Sequence, residues 1–358
     1  MRRNWKKILA SVLLAAALSC EPVFAQEAES SAALTTAESD AQSIADSSVM
    51  PCEIATIPEE YLEECSHAGR IERLDYTAGV YGSETETMDK YAYVYVPYGY
   101  RKKDKKTKYN VIYLLHGAGG SAKWVLGDGT EDEPRAVRCL LDNLIDRGDM
   151  DPVIVVAATY YPWNTDDAPR TEEGELVRQF IPEVRNDLIP AVESTYHTYA
   201  ESTDPEGLTA SRDHRVFAGF SMGATASWYA LGESLDYFRY FMPMSGSLYW
   251  GDDTTVPELE QMTPAWSAEF LVQSIAASGY SADDYFVYAI TGDHDSCRHT
   301  MTTQIQALKQ YPEFFRYTEN YGPGNLFFRI ADRERHNYTA ETRYLYNALP
   351  VFLEKMNG

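Results

Sequence analysis

Residues 216–231, with the sequence VFAGFSMGATASWYAL, set the architecture that we expect for this 358-residue chain. The first residues are an apolar run typical of a buried strand, and the last are small and apolar, as in a tightly packed helix. Between them lies the turn Gly219-Phe220-Ser221-Met222-Gly223. A G-x-S-x-G turn raises the serine hydroxyl above the sheet, and its glycines let strand and helix pass closely. The pattern predicts a nucleophilic Ser221.

Strands and helices alternate on both sides of this turn. Alternation of this kind predicts an α/β protein with a mostly parallel central sheet and helices on both faces. In such a sheet, reactive side chains gather beyond the carboxyl ends of the strands. The predicted strands are residues 91–96, 111–115, 153–158, 216–220, 240–244, 285–290 and 326–330. The predicted helices are residues 137–145, 176–192 and 224–231, with a last helix from about residue 340.

The general base is predicted to be His336. In the α/β-hydrolase fold the catalytic residues follow the chain order serine, acid, histidine. Three of the seven histidines come after Ser221, and only His336 also follows the last predicted strand. It lies in a polar segment, residues 331–337, which we expect to be a loop between that strand and the final helix.

Two carboxylates qualify as the acid of a catalytic triad. Asp293 and Asp295 both follow the strand that ends near Thr291, in the sequence Gly292-Asp293-His294-Asp295-Ser296. Position in the chain alone does not decide which of the two aspartates is the triad acid. With His299, the same segment could also be read as a set of metal ligands, but its spacing matches no known motif such as H-E-x-x-H. We therefore expect no metal and no cofactor.

Two backbone N–H groups are candidates for an oxyanion hole. Met222 follows the nucleophile at a helix N-terminus, where N–H groups point away from the helix unpaired. The second donor in this fold comes from a glycine-rich loop after an early strand. Here that loop is His116-Gly117-Ala118-Gly119-Gly120. We favour the N–H of Ala118, with Gly119 as the next choice.

Taken together, these residues resemble the carbohydrate esterase family that contains feruloyl and acetylxylan esterases, related to esterase D. The likeness extends over about residues 57–352. It rests on residues 95–100 (YVPYGY), 113–120 (YLLHGAGG) with Trp124, 219–223 (GFSMG), 244–246 (MSG), 292–296 (GDHDS) and His336. The resemblance implies that Asp295 is the acid. It also implies a shallow cleft, whose walls we expect at Trp124, Tyr160 and Trp250.

The same resemblance implies a serine esterase that acts on acylated plant cell-wall polysaccharide. We expect feruloyl esters of arabinoxylan to be the substrate, with acetylxylan as the alternative. Residues 247–249 and 333–335 depart from many relatives in loops that shape the acyl pocket, so the acyl group stays open. A secreted acyltransferase would use the same triad, and a catalytically silent binding protein is a further class.

The N-terminus predicts export. Residues 2–7 are basic, residues 8–19 are apolar but too short to span a bilayer, and Val23-Phe24-Ala25 fits a cleavage site. We therefore expect a signal peptide at 1–25, a disordered linker at 26–50 and an esterase domain at 51–358. Cleavage before Cys20, with lipid anchoring there, is the alternative. The net charge of −23 disfavours nucleic acid and anionic membranes as partners.

Four cysteines lie beyond the predicted leader: Cys52, Cys65, Cys139 and Cys297. In an exported protein Cys52 and Cys65 could form a local bridge. The sequence does not fix the pairing.

Overall fold

The computed structural model describes residues 50–81, 85–130, 134–162, 170–249, 262–319 and 321–357. The predicted leader, almost all of the predicted linker and Trp250 lie outside these residues. Among the helices that it describes, none combines the length and the apolar character that a membrane span requires.

A nine-stranded sheet forms the centre of the domain. Its order is β1-β2-β4-β3-β5-β6-β7-β9-β8, and pairing is antiparallel for β1 with β2 and for β2 with β4. Every other neighbouring pair is parallel, as the alternation of elements predicted. The strands are β1 (Arg70–Gly79), β2 (Thr87–Val96), β3 (Asn110–Leu115), β4 (Val153–Ala158), β5 (Arg215–Phe220), β6 (Tyr240–Met244), β7 (Phe286–His294), β8 (Tyr317–Thr318) and β9 (Leu326–Arg335).

Helices cover both faces of the sheet and bury two apolar layers. Strand β3 shows why both layers exist, since all six of its residues are buried. Its alternate side chains belong to opposite layers, with Tyr113 in one and Leu114 in the other. The helices are α1 (Ala122–Leu126), α2 (Ala136–Asp146), α3 (Arg170–Glu183), α4 (Ile189–Thr195), α5 (Pro205–Ala210), α6 (Met222–Glu233), α7 (Pro264–Ser278), α8 (Arg298–Leu308) and α9 (Tyr338–Asn357). Residues of α1, α2 and α9 fill one layer, and residues of α3, α4, α6, α7 and α8 the other.

Parallel pairing brings the carboxyl ends of β3, β5, β6, β7 and β9 to one edge of the sheet. Two backbone hydrogen bonds continue the ladder past the strand ends. The Ser221 N–H donates to the carbonyl of Met244 at 2.9 Å, and the Ser245 N–H donates to the carbonyl of Ile290 at 2.8 Å. The turns that follow these strands are therefore held at fixed positions relative to one another.

Strands β7 and β9 extend further into polar sequence than predicted. They pair from Val287 with Leu326 as far as His294 with Arg335, with an irregularity between Gly292 and His294. The prediction of a loop over residues 331–337 was therefore wrong for residues 331–335, which belong to β9, whereas His336 and Asn337 lie between that strand and α9. Ala331 and Arg335 pair with β7, whereas residues 332–334 between them form an irregular bulge in which Arg333 has a left-handed backbone (φ 63°).

The four described cysteines, Cys52, Cys65, Cys139 and Cys297, are all free thiols. The bridge considered between Cys52 and Cys65 is not formed in this structure. Cys52 instead pairs its backbone with β9, in a parallel bridge to Ala331.

Candidate active site

Ser221 occupies a sharp turn between β5 and α6 with a left-handed backbone (φ 58°, ψ −114°). A side chain at positive φ costs free energy, and such conformations persist where the surrounding structure enforces them. Here the enforcing feature is close backbone packing at the two flanking glycines. A Cβ on Gly219 would lie 2.4 Å from the carbonyl carbon of Gly223, and one on Gly223 would lie 2.4 Å from the carbonyl oxygen of Leu115.

The hydroxyl of Ser221, the imidazole of His336 and the carboxylate of Asp295 form one hydrogen-bonded chain. His336 Nε2 lies 2.9 Å from Ser221 Oγ, and His336 Nδ1 lies 2.9 Å from Asp295 Oδ1. A carboxylate only accepts, so the Nδ1–H donates to it and Nε2 is left to accept the serine proton. This geometry joins the three residues predicted from the sequence, which β5, β7 and β9 carry at their ends.

The electrostatics of the triad favour a charged imidazole once the proton has moved. The Asp295 side chain is fully buried, whereas that of His336 is 29% exposed. Burial lowers the pKa of His336, but the hydrogen bond to Asp295 and the neighbouring Cys297 side chain raise the pKa by more, so the net shift is upward. Asp295 therefore stabilises the imidazolium that forms when Ser221 is deprotonated.

Asp293, the rival acid, faces another partner. Its Oδ1 lies 2.8 Å from Nδ1 of the exposed His294. Asp295, in contrast, also accepts the backbone N–H of Cys297 at 2.7 Å, which orients its carboxylate toward His336. Of the two aspartates, the structure brings only Asp295 to the catalytic histidine.

The candidate oxyanion donors lie on either side of the nucleophile. Met222 is the first residue of α6, where the N–H has no partner within the helix. In the glycine-rich loop, the Gly119 N–H donates to the hydroxyl of Tyr161 at 2.8 Å. The Ala118 N–H makes no hydrogen bond to another group of the described residues, so it is the donor that this loop can offer.

A buried histidine that the sequence reasoning did not assign holds this loop in place. His116 contacts the carbonyl oxygen of Gly117 through Nδ1 at 2.7 Å and the hydroxyl of Thr159 through Nε2 at 2.8 Å. Burial lowers the pKa of His116 to about 4, so the ring is neutral at pH 7. Its Nδ1–H then donates to Gly117 and its Nε2 accepts from Thr159. The HGAGG motif predicts a loop from sequence alone. The contact between His116 and Thr159 is visible only in the folded structure.

Three aromatic rings, which we call the aromatic rim, lead from the surface to the triad. Trp124 is 54% exposed, and its ring centroid lies 6.0 Å from that of Tyr338. The Tyr338 ring lies 5.7 Å from that of Phe220, which is 4.8 Å from the ring of His336. Phe220 itself is buried, so the accessible part of this rim is Trp124 and the half-buried Tyr338.

The other two predicted cleft residues are placed differently. Tyr160 is only 3% exposed and packs beneath the oxyanion loop, with its ring 4.7 Å from that of His116. Trp250 lies outside the described residues. Direct contact of Trp124, Tyr160 or Trp250 with substrate stays a prediction.

The sheet, the turn and the triad together define a serine hydrolase of the α/β-hydrolase fold. The sequence model of the Esterase family matches residues 84–325, which is more than half of the chain. The chain therefore belongs to this family and is a carboxylic ester hydrolase.

Two similar proteins match most of this chain. Endo-1,4-β-xylanase Y of Acetivibrio thermocellus is 37% identical over 298 residues, which are 83% of this chain and 24% of that protein. The chain thus spans about a quarter of that relative's length. A serine-to-alanine variant of the feruloyl esterase module of Clostridium thermocellum, solved with sinapinate, is 36% identical with a TM-score of 0.70. That match covers 85% of this chain and 95% of the other.

A third structure shares the fold at low identity. The CE1 ferulic acid esterase of Anaeromyces mucronatus is 17% identical with a TM-score of 0.61, over 85% of this chain and 99% of that one. These likenesses agree with the sequence resemblance, and the chain is a member of carbohydrate esterase family 1.

Proposed function

We propose that this esterase hydrolyses feruloyl and related hydroxycinnamoyl esters on arabinoxylan. The observation that carries the proposal is the connected triad with an aromatic rim beside it, of which the outermost ring, Trp124, is exposed. The similarity to an esterase module that was solved with sinapinate, a hydroxycinnamate, supports the same acyl class.

The proposed reaction is a two-step acyl transfer. Neutral His336 accepts the Ser221 proton while Oγ attacks the ester carbonyl, and the N–H groups of Met222 and Ala118 stabilise the oxyanion. Each such donor lowers the barrier by about 3 kcal/mol. His336 then protonates the departing sugar hydroxyl, and a water molecule, activated by the same histidine, releases the acid and restores the Ser221 hydroxyl.

The aromatic rim accounts for a preference for a phenolic acyl group. Aromatic rings in offset or edge contact gain about 0.5–1.5 kcal/mol beyond their buried area. A hydroxycinnamoyl group is flat and carries its ring several bonds from the carbonyl, so it can contact Trp124 or Tyr338 while the carbonyl lies at Ser221. An acetyl group is too short to do so.

The test compares release of ferulate from feruloylated arabinoxylan with release of acetate from acetylxylan. We expect kcat/KM to be at least 10-fold higher for ferulate, with Trp124→Ala lowering the ferulate value about 3- to 10-fold and leaving acetate release little changed. Tyr98→Ala is the matched control. Tyr98 is 58% exposed and follows β2, which runs antiparallel to β4, so it lies at the opposite edge of the sheet.

Two outcomes would overturn this choice of substrate. Faster acetate release would favour the acetylxylan alternative, and transfer of the acyl group to an added xylo-oligosaccharide in preference to water would identify an acyltransferase.

We also propose that the enzyme is exported and acts outside the cell. The basic residues 2–7, the apolar residues 8–19 and the Val23-Phe24-Ala25 site support this. The mature protein should begin at Gln26, as N-terminal sequencing of the extracellular fraction would show. A lipid-modified Cys20 in the membrane fraction would contradict cleavage after Ala25 and release from the cell.

A further inference from the structure

A free thiol lies beside the catalytic acid and base. Asp295, Cys297 and His336 each offer one potential metal-ligating atom, and these three atoms lie within 4.8 Å of one another. Hydrolysis uses the carboxylate and the imidazole but not the thiol. The Cys297 thiol influences the pKa of His336 but takes part in no proton or acyl transfer of the proposed reaction.

The thiol is held there by regular structure. Cys297 is the N-cap residue of α8, two residues after Asp295, and its backbone N–H donates to Asp295 Oδ1 at 2.7 Å. His336 follows β9, the strand paired with β7. The three side chains thus come from the ends of two adjacent strands and from the start of one helix.

An unsatisfied oxygen is a second sign of a ligand. Asp295 Oδ2 is buried and has no hydrogen-bond partner among the described residues. A buried polar atom without a partner costs about 1–3 kcal/mol, and more if charged, so such atoms in native proteins call for an explanation. A cation that binds the carboxylate through Oδ2 would satisfy this oxygen. Cys297 and His336 remain partly exposed, which leaves a path from solvent.

We propose that Asp295, Cys297 and His336 form an inhibitory binding site for a thiophilic divalent cation such as Zn²⁺. Zinc prefers thiolate, imidazole and carboxylate ligands in a tetrahedron, at about 2.0–2.3 Å. Ligand atoms in that geometry lie about 3.3–3.8 Å apart. The three ligand atoms lie within 4.8 Å of one another, and rotation of their side chains can bring them to this separation. Water supplies the fourth ligand.

Occupation of this site stops catalysis whichever ring nitrogen binds. Coordination releases the thiol proton to solvent. If Nε2 is the ligand, the lone pair that accepts the Ser221 proton is lost. If Nδ1 is the ligand, its proton moves to Nε2, which can no longer act as a base, and the hydrogen bond to Asp295 is broken. The proposed zinc ligands differ from the metal ligands considered in the sequence analysis, which were Asp293, His294, Asp295 and His299. Only Asp295 belongs to both sets.

The inference rests on the triad and not on the acyl group, so the test uses p-nitrophenyl acetate. Enzyme freed of metal with a chelator is assayed at buffered Zn²⁺ concentrations. We expect saturable inhibition that EDTA reverses, and little effect of Mg²⁺, which prefers oxygen ligands. Cys297→Ala, compared with its own metal-free rate, should raise the inhibition constant at least 100-fold. Cys65→Ala, another half-exposed free thiol, should leave it unchanged.

A direct measurement separates this inference from the esterase assignment. Ser221→Ala should bind one Zn²⁺ per chain in calorimetry, and Cd²⁺ should give an ultraviolet thiolate charge-transfer band that disappears in Ser221→Ala/Cys297→Ala. Cys297→Ser, nearly isosteric, replaces alanine if that variant is unstable. Equal inhibition of the wild type and Cys297→Ala, or Cd²⁺ binding without the band, would refute the site. A wild type that fails to hydrolyse the ester while Ser221→Ala binds metal would refute the proposed function alone.

Discussion

Ser221 combines the reactive hydroxyl and the left-handed backbone in one residue. Replacing it by alanine removes the nucleophile while the glycines that enforce the turn remain. We expect kcat to fall by about 10⁴- to 10⁶-fold with an unchanged circular dichroism spectrum, because triad residues act as a unit. Hydrolysis of p-nitrophenyl acetate measures the loss. Near-wild-type turnover by Ser221→Ala would contradict the assigned nucleophile.

The two aspartates of residues 292–296 provide a paired comparison. Asp295→Asn removes the charge that fixes the His336 tautomer, so we expect kcat to fall about 10⁴-fold. Asp293→Asn breaks only the contact with the exposed His294 and should stay within a few-fold of the wild type. Steady-state kinetics of both variants on one ester test this. A larger loss for Asp293→Asn would reverse the assignment of the acid.

Chain order and strand ends were enough to predict Ser221 and His336, but not to choose between the aspartates. Both follow the same strand, and the choice depends on the irregular pairing of β7 with β9 between Gly292 and His294. That register is a tertiary property, which a local pattern does not encode. The contact of His116 with Thr159 was missed for the same reason, since 43 positions separate the two residues.

At the level of elements, the glycine-rich loop and the nucleophile turn are packed against each other. A Cβ on Gly117 would lie 3.0 Å from Cβ of Ser221. We expect Gly117→Ala to displace the hydroxyl and to lower kcat about 10- to 100-fold, because small misplacements of reacting groups are costly. Kinetics on p-nitrophenyl acetate, with urea unfolding in parallel, measure both activity and stability.

Gly279→Ala is the matched control for Gly117→Ala. Gly279 ends α7 in the left-handed region (φ 79°), with open space around a Cβ. Alanine there should cost about 1 kcal/mol of stability and leave kcat unchanged. If both variants lost activity in proportion to their stability, the packing argument at Gly117 would fail.

The central strands were predictable because their residues are buried on both faces and read as apolar runs. The prediction for β4 and β6 matches the observed bounds of Val153–Ala158 and Tyr240–Met244. Strand β1 was missed, since this edge strand carries exposed charges and buries only Tyr76 and Ala78 fully. The ends of β7 and β9 were also missed, because they pair through their backbones on either side of a bulge and carry no apolar pattern.

The molecule as a whole joins two apolar layers across one sheet, and α9 carries a carboxyl group into the layer that it covers. Glu341 is 1% exposed, and its Oε1 has no hydrogen-bond partner among the described residues. Burial raises the pKa of Glu341 to about 8 from an ordinary value of 4.5. Between these two pKa values the folded state binds a proton that the unfolded state has lost. The free energy of unfolding therefore decreases as the pH rises from about 4.5 through 8.

Glu341→Gln removes this titration while keeping the shape of the side chain. We expect its stability advantage over the wild type to grow by about 2–3 kcal/mol between pH 6 and pH 9, at 1.36 kcal/mol per pKa unit. Urea unfolding at both pH values measures the difference, in which the other ionisable groups cancel. Glu354→Gln, an exposed position on the same helix, should show no such growth. An advantage of Glu341→Gln that is equal at both pH values would mean that Glu341 is already ionised in the folded core at pH 6, and that α9 holds a buried charge.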